Sequence, residues 1–172
     1  MTEGSEVAAP IVVGVSGSAM SQLALQWSLR EAADRGCAVR AVHVWTAGTM
    51  ADFVWHDPRR LRRDSRSLLR HAIARARTET GLGPAVVTAS LPDPVAPALA
   101  EAARGAEFLV LGARGRALPG TFGLGQIGLS CLGLAGTPTV VVSQHTANVV
   151  SRPAECSPTR GCWSSFPMTN GP

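Results

Sequence analysis

The sequence predicts an α/β fold, an open parallel sheet with helices on both faces. Five short apolar runs alternate with four stretches of helical spacing, and that alternation implies parallel strands joined by right-handed helical crossovers. The run at 108–111 is continuous rather than alternating in character, as strands buried on both faces are. The fourth run, Phe108-Leu109-Val110-Leu111, leads at once into a loop with glycines at 112, 115, 120, 123 and 125. In such sheets ligands bind at the carboxyl ends of strands.

The elements follow in order. Ile11-Val12-Val13-Gly14-Val15 is a β-branched strand that stops at Ser16-Gly17-Ser18, a turn signal and a helix N-cap signal together. A helix over about 20–35 follows, with Met20, Leu23, Ala24 and Trp27 on one face and Leu25, Leu29 and Ala32 on another, closed by Gly36. Residues 38–45 alternate into a second strand, in which His43 fits a packed or hydrogen-bonded histidine better than a base. After a loop over 46–57, residues 58–80 carry Leu61, Leu68, Leu69, Ala72, Ile73 and Ala76 at helical spacing. Gly81-Leu82-Gly83-Pro84 ends that helix, and 85–89 is the third strand. Asp93-Pro94 predicts a helix cap with proline at the first helical position, the helix running to Arg104. The fourth strand and the glycine loop come next, then a short helix over 126–134 and a fifth strand over 139–143.

Composition sets limits on function. No apolar run approaches the roughly 20 residues that span a bilayer, and residues 1–8 lack the basic start and apolar stretch of a secretory signal, so a soluble cytoplasmic domain is expected. Cys37, Cys131, Cys156 and Cys162 show no zinc-site spacing and fit free thiols, the first two as core residues. All 16 basic residues are arginine. The absence of lysine excludes a P-loop and Schiff-base chemistry. Three segments are expected: 1–9, a globular domain over 10–145, and a tail over 146–172 whose Ser, Pro, Thr, Gly and Asn content suits disorder or loose docking.

The glycine loop suits an anion. Its glycines let backbone N–H groups approach a ligand, Arg114 and Arg116 add positive charge, and no carboxylate occurs between Glu107 and Glu155. A plain surface loop also fits the glycine count. Gly123-Leu124-Gly125-Gln126-Ile127-Gly128 matches G-x-G-x-x-G, but it does not directly follow a strand and no acid follows for a ribose, so a dinucleotide reading is weak. A nucleophile elbow at Ser16 fails because Ser18 stands where glycine is required.

Gly112-x2-Gly115, nine further residues, then Gly125 resembles the glycine pattern of the ATP-binding subgroup of the universal stress proteins. The resemblance spans 10–145. It implies an adenine-nucleotide alpha hydrolase-like fold with strand order 3-2-1-4-5 and a homodimer through the fifth strand. It also implies ATP as ligand, with adenine beside Val44 and the phosphates near Gly14, Ser16, Gly112, Ala113, Arg114, Gly115, Arg116, Gly125 and Gln126. Two positions depart from the family pattern. Ser16 replaces an aspartate that faces phosphates and metal, and Gln126 replaces a serine or threonine, so magnesium is not expected to be needed. Some family members hydrolyse ATP slowly. No catalytic constellation stands here, and these two departures imply still less turnover.

The resemblance therefore implies a stress-linked sensor or adaptor that acts by binding an adenine nucleotide. The alternative is an interaction module of the same fold that binds no nucleotide and meets a protein or nucleic-acid partner through its dimer surface and Arg-rich helix. Eight arginines lie between residues 59 and 77 against Asp64 and Glu79. That basic face could attract RNA or another anion. No aromatic interleaving or base-reading module accompanies it, so nucleic acid is not the expected partner and a solvated helix face is the plainer reading.

Overall fold

The computed structural model describes residues 8–46, 57–113, 125–144 and 147–151. Its elements are β1 (Ile11–Gly14), α1 (Ala19–Arg35), β2 (Val39–Trp45), α2 (Pro58–Thr80), β3 (Val86–Pro92), α3 (Val95–Ala102), β4 (Phe108–Gly112), α4 (Gln126–Leu134), β5 (Thr139–Val142) and β6 (Ala147–Ser151). The sheet order is β3-β2-β1-β4-β5-β6. The first five strands are parallel, in the expected order 3-2-1-4-5.

Alternate side chains of each strand feed two cores. Ile11, Val13, Val39, Ala41, Phe108 and Val110 pack with Leu25 and Leu29 of α1 and with Leu69 and Ile73 of α2. Val12, Val42, Leu109 and Leu111 point the other way, onto Leu99 of α3 and Cys131 of α4. Burial on both faces explains why β1, β4 and β5 read as unbroken apolar runs. Arg35 ties the end of α1 to the start of β4: it bonds Glu31 at 2.5 Å and Glu107 at 2.6 Å, and its guanidinium lies 4.9 Å from the centre of the Phe108 ring.

Three boundaries differ from those expected. Val15 lies beyond β1, although its N–H still donates to the Val42 carbonyl at 2.8 Å. β3 runs three residues further than the apolar stretch suggests, to Pro92, because register with β2 continues to Trp45. Pro94 is the residue before α3 rather than its first helical position; its backbone is extended, no side chain caps the helix, and α3 stops at Ala102.

The largest correction concerns the tail. Its first residues form β6, antiparallel to β5, with Val142 opposite Ala147 and Val140 opposite Val149. The outer edge of β5, which the resemblance assigns to a second subunit, is thus paired with the chain's own strand. Residues 152–172 lie outside the described residues. Among the described residues no helix is long and apolar enough to cross a membrane.

Candidate functional site

β1 has β2 on one side and β4 on the other, so the chain order reverses between β1 and β4. α1 packs on one face of the sheet and α3 on the other. A crevice therefore opens where the carboxyl ends of β1 and β4 meet, the position at which doubly wound sheets bind ligands. Its volume is about 550 Å³.

The first wall is the turn after β1. Gly17 has φ +82°, a left-handed conformation that glycine adopts without penalty, and a Cβ there would also stand 3.2 Å from Leu68. The turn brings Ser16 and Ser18 together, their hydroxyls 3.1 Å apart. Ser18 is the N-cap of α1: its Oγ accepts from the Ser21 N–H at 3.2 Å, and its carbonyl accepts from the Ser21 hydroxyl at 2.9 Å. Ser16, Ser18, Met20 and Ser21 all line the crevice.

The second wall is the end of β4. Gly112 is closely surrounded by backbone. A Cβ on it would lie 2.5 Å from the Met20 carbonyl carbon, 2.6 Å from its oxygen and 2.7 Å from the Ser21 nitrogen. Glycine is therefore required here by the backbone of α1, whatever the crevice holds. The close approach seats the first turn of α1 beside Gly112 and Ala113.

The third wall is the start of α4. Gly125 is its N-cap, with extended backbone and no side-chain cap bond. The first intrahelical bond runs from Leu129 N–H to the Gly125 carbonyl at 3.0 Å, so the N–H groups of 126–128 have no acceptor within the helix. Gly125, Ile127 and Gly128 face the crevice. Two helix N-termini, those of α1 and α4, thus border one cavity, and both favour negative charge there.

The remaining walls are apolar. Val42 and Val44 of β2, Val95 and Leu99 of α3, and Leu111 of β4 cluster into an apolar slot in the crevice lining. No carboxylate is among the described lining residues. His43 also borders the crevice, while its ring bonds elsewhere: Nδ1 is 2.8 Å from the Ser65 hydroxyl, which in turn accepts from the Ser90 hydroxyl at 2.7 Å. Burial lowers the His43 pKa. A neutral ring held by Ser65 is the packed strand histidine that the sequence suggests.

Of the site residues read from sequence, Gly14, Ser16, Val44, Gly112, Ala113 and Gly125 line this one crevice. Gln126 is exposed at the first position of α4 and is not among the lining residues. Arg114, Gly115 and Arg116 lie outside the described residues. The sequence reading missed the apolar slot, above all Val95 and Leu99, which come from a different part of the chain. The only available signal was the apolar face of α3.

The match to known proteins agrees with this architecture. Residues 9–143 match the model of the universal stress protein family. The chain is 32% identical over 139 residues to a universal stress protein of Mycolicibacterium smegmatis, an alignment covering 77% of this chain and 47% of that one. The chain thus spans about half the length of that relative. Its fold resembles a universal stress protein solved in complex with cAMP, with TM-score 0.60 and 21% identity over 80% of this chain and 98% of the other. It also resembles the universal stress protein of Archaeoglobus fulgidus in complex with dAMP, with TM-score 0.56 and 20% identity over 78% and 98% of the two chains. By sequence, the chain belongs to the universal stress protein family.

Proposed function

We propose that the chain binds an adenine nucleotide, ATP among them, in the crevice between β1 and β4, and works as a sensor or adaptor through that binding. The observation that carries this reading is the division of the cavity. The N-termini of α1 and α4 border its polar side, while Val42, Val44, Val95 and Leu99 make a slot suited to a flat base. Solved relatives of the same fold with cAMP and dAMP support the choice of an adenine ligand.

The residues present fit such a ligand. The amides at the start of α4, which have no acceptor within the helix, and the hydroxyls of Ser16 and Ser18 offer donors to phosphate. The crevice has no carboxylate at Ser16 to hold a cation, so affinity is expected to depend little on magnesium. Isothermal titration with ATP, ADP, AMP and adenosine tests the proposal. Heat and a rise in melting temperature are expected for the phosphorylated ligands, with a weaker effect for adenosine. Val44→Glu, which puts a charge in the slot, should remove both. The absence of heat and of stabilisation with all four ligands at millimolar concentration would overturn nucleotide binding and favour an interaction module of the same fold.

A further inference from the structure

A second concave surface lies at the far edge of the sheet, on the other side of β2 from β1. Arg62, Arg63, Arg66 and Arg70 of α2 overhang β3 there, and with Thr88 and Ser90 they border a groove of about 660 Å³. All four arginines are exposed. Among the described residues none of them has a carboxylate within ion-pair distance, and Asp64 on the same turn enters no described ion pair either. Arg35, Arg75 and Arg104, by contrast, are paired with glutamates, whereas Arg30, Arg59 and Arg60 enter no described ion pair.

β3 is the terminal strand of the sheet, and its outward backbone groups can be identified. The Val39 N–H donates to the Ala85 carbonyl at 2.8 Å, and the Asp93 N–H donates to the Trp45 carbonyl at 3.1 Å. In a parallel ladder with this register the odd-numbered residues of β3 therefore bond β2, and the even-numbered residues turn N–H and C=O outward. Residues 88–91 of β3 border the arginine groove, and of these Thr88 and Ser90 are the outward-bonding ones.

We propose that this edge accepts an extended acidic segment of a partner protein as an added strand, its carboxylates seated on the arginine row. The spacing matches. Arg62, Arg66 and Arg70 recur at i, i+4 and i+8, about 6 Å apart along a helix, and same-face side chains of a strand recur about every 6.6 Å. Acids at alternate positions of the added strand meet successive guanidiniums, which pair with carboxylates through two parallel hydrogen bonds. The strand edge itself favours peptide over nucleic acid. It presents donors and acceptors in alternation, and a peptide backbone answers both, whereas phosphate offers acceptors alone.

Fluorescence anisotropy with short labelled peptides tests this on the full chain. The probes are a peptide alternating Glu and Thr, a peptide of the same composition with its glutamates in one block, and a single-stranded RNA of equal charge. The alternating peptide is expected to bind best. Arg66→Glu should weaken it at least about tenfold, and Arg75→Gln, which changes charge outside the groove, should leave it unchanged. Thr88→Pro removes one outward N–H while sparing the ladder to β2, as proline on an edge strand can, and should weaken the peptide without affecting its block isomer. Equal binding of the two peptides, tighter binding of RNA, insensitivity to Thr88→Pro, or no binding at low salt would each overturn the proposal. Unchanged melting curves of the variants ensure that a loss reports the groove.

Discussion

The α-carbon of Gly112 sits so close to Met20 that a methyl group there would stand 2.5 Å from the Met20 carbonyl carbon. The neighbour is backbone and cannot swing aside. Gly112→Ala should destabilise the protein by about 1–3 kcal/mol through overpacking, measured by urea unfolding without any nucleotide. Gly14→Ala is the comparison: its new methyl would meet the tip of Leu111 at 3.0 Å, a side chain that can give way. If Gly112→Ala unfolded at the same denaturant concentration as the native chain, the close approach would not be what requires glycine.

His43 makes stability depend on pH. Its folded pKa is lowered by burial from the ordinary value of 6.5, so below that pH the unfolded chain binds more protons than the folded one. Stability is expected to be fully retained above about pH 6.5 and to fall as the pH drops from there through the folded pKa. His43→Gln should flatten that part of the curve. Parallel curves for the two proteins between pH 7.5 and 5 would show that His43 carries no such linkage.

Cys131 lies fully buried at the inner face of α4, and burial pushes its thiol pKa to about 11. The thiolate is the reactive form, so Cys131 should resist iodoacetamide at pH 8 in the native protein and react once urea is added. Peptide mapping resolves the site from the other cysteines. Rapid native labelling at Cys131 would mean that α4 opens readily.

β6 covers the outer edge of β5. A chain ended after Gln144 would expose that edge, and open edges pair with other chains. The shortened protein should therefore associate with itself more than the full chain at equal concentration, as read by sedimentation velocity. The same sedimentation coefficient for both would show that β6 does not determine access to β5.

Much of this fold is written in local pattern. Continuous apolar runs such as Ile11–Val13 and Phe108–Leu111, separated by helical spacing, specify strands buried on both faces, and Gly36 marks the end of α1 with a left-handed φ of +65°. Those signals depend on neighbouring residues and so survive without the rest of the molecule. β6 had no such signal: Ala147–Ser151 is short and lacks a strong apolar run, and it is a strand because β5 offers an unpaired edge.

The site divides in the same way. Gly14, Ser16, Gly112 and Gly125 were legible as turn residues after strands and before helices, because the backbone chemistry of a turn restricts which residues suit it. Tertiary structure alone decided that Gly112 answers to Met20, that Val95 and Leu99 of α3 complete an apolar slot with Val44, and that Arg62, Arg66 and Arg70 overhang β3, the terminal strand among the described elements. Each of these relationships joins residues far apart in the chain, and parallel strand order brings them together; no local spacing encodes that order, because it follows from how the crossovers stack the strands into one sheet.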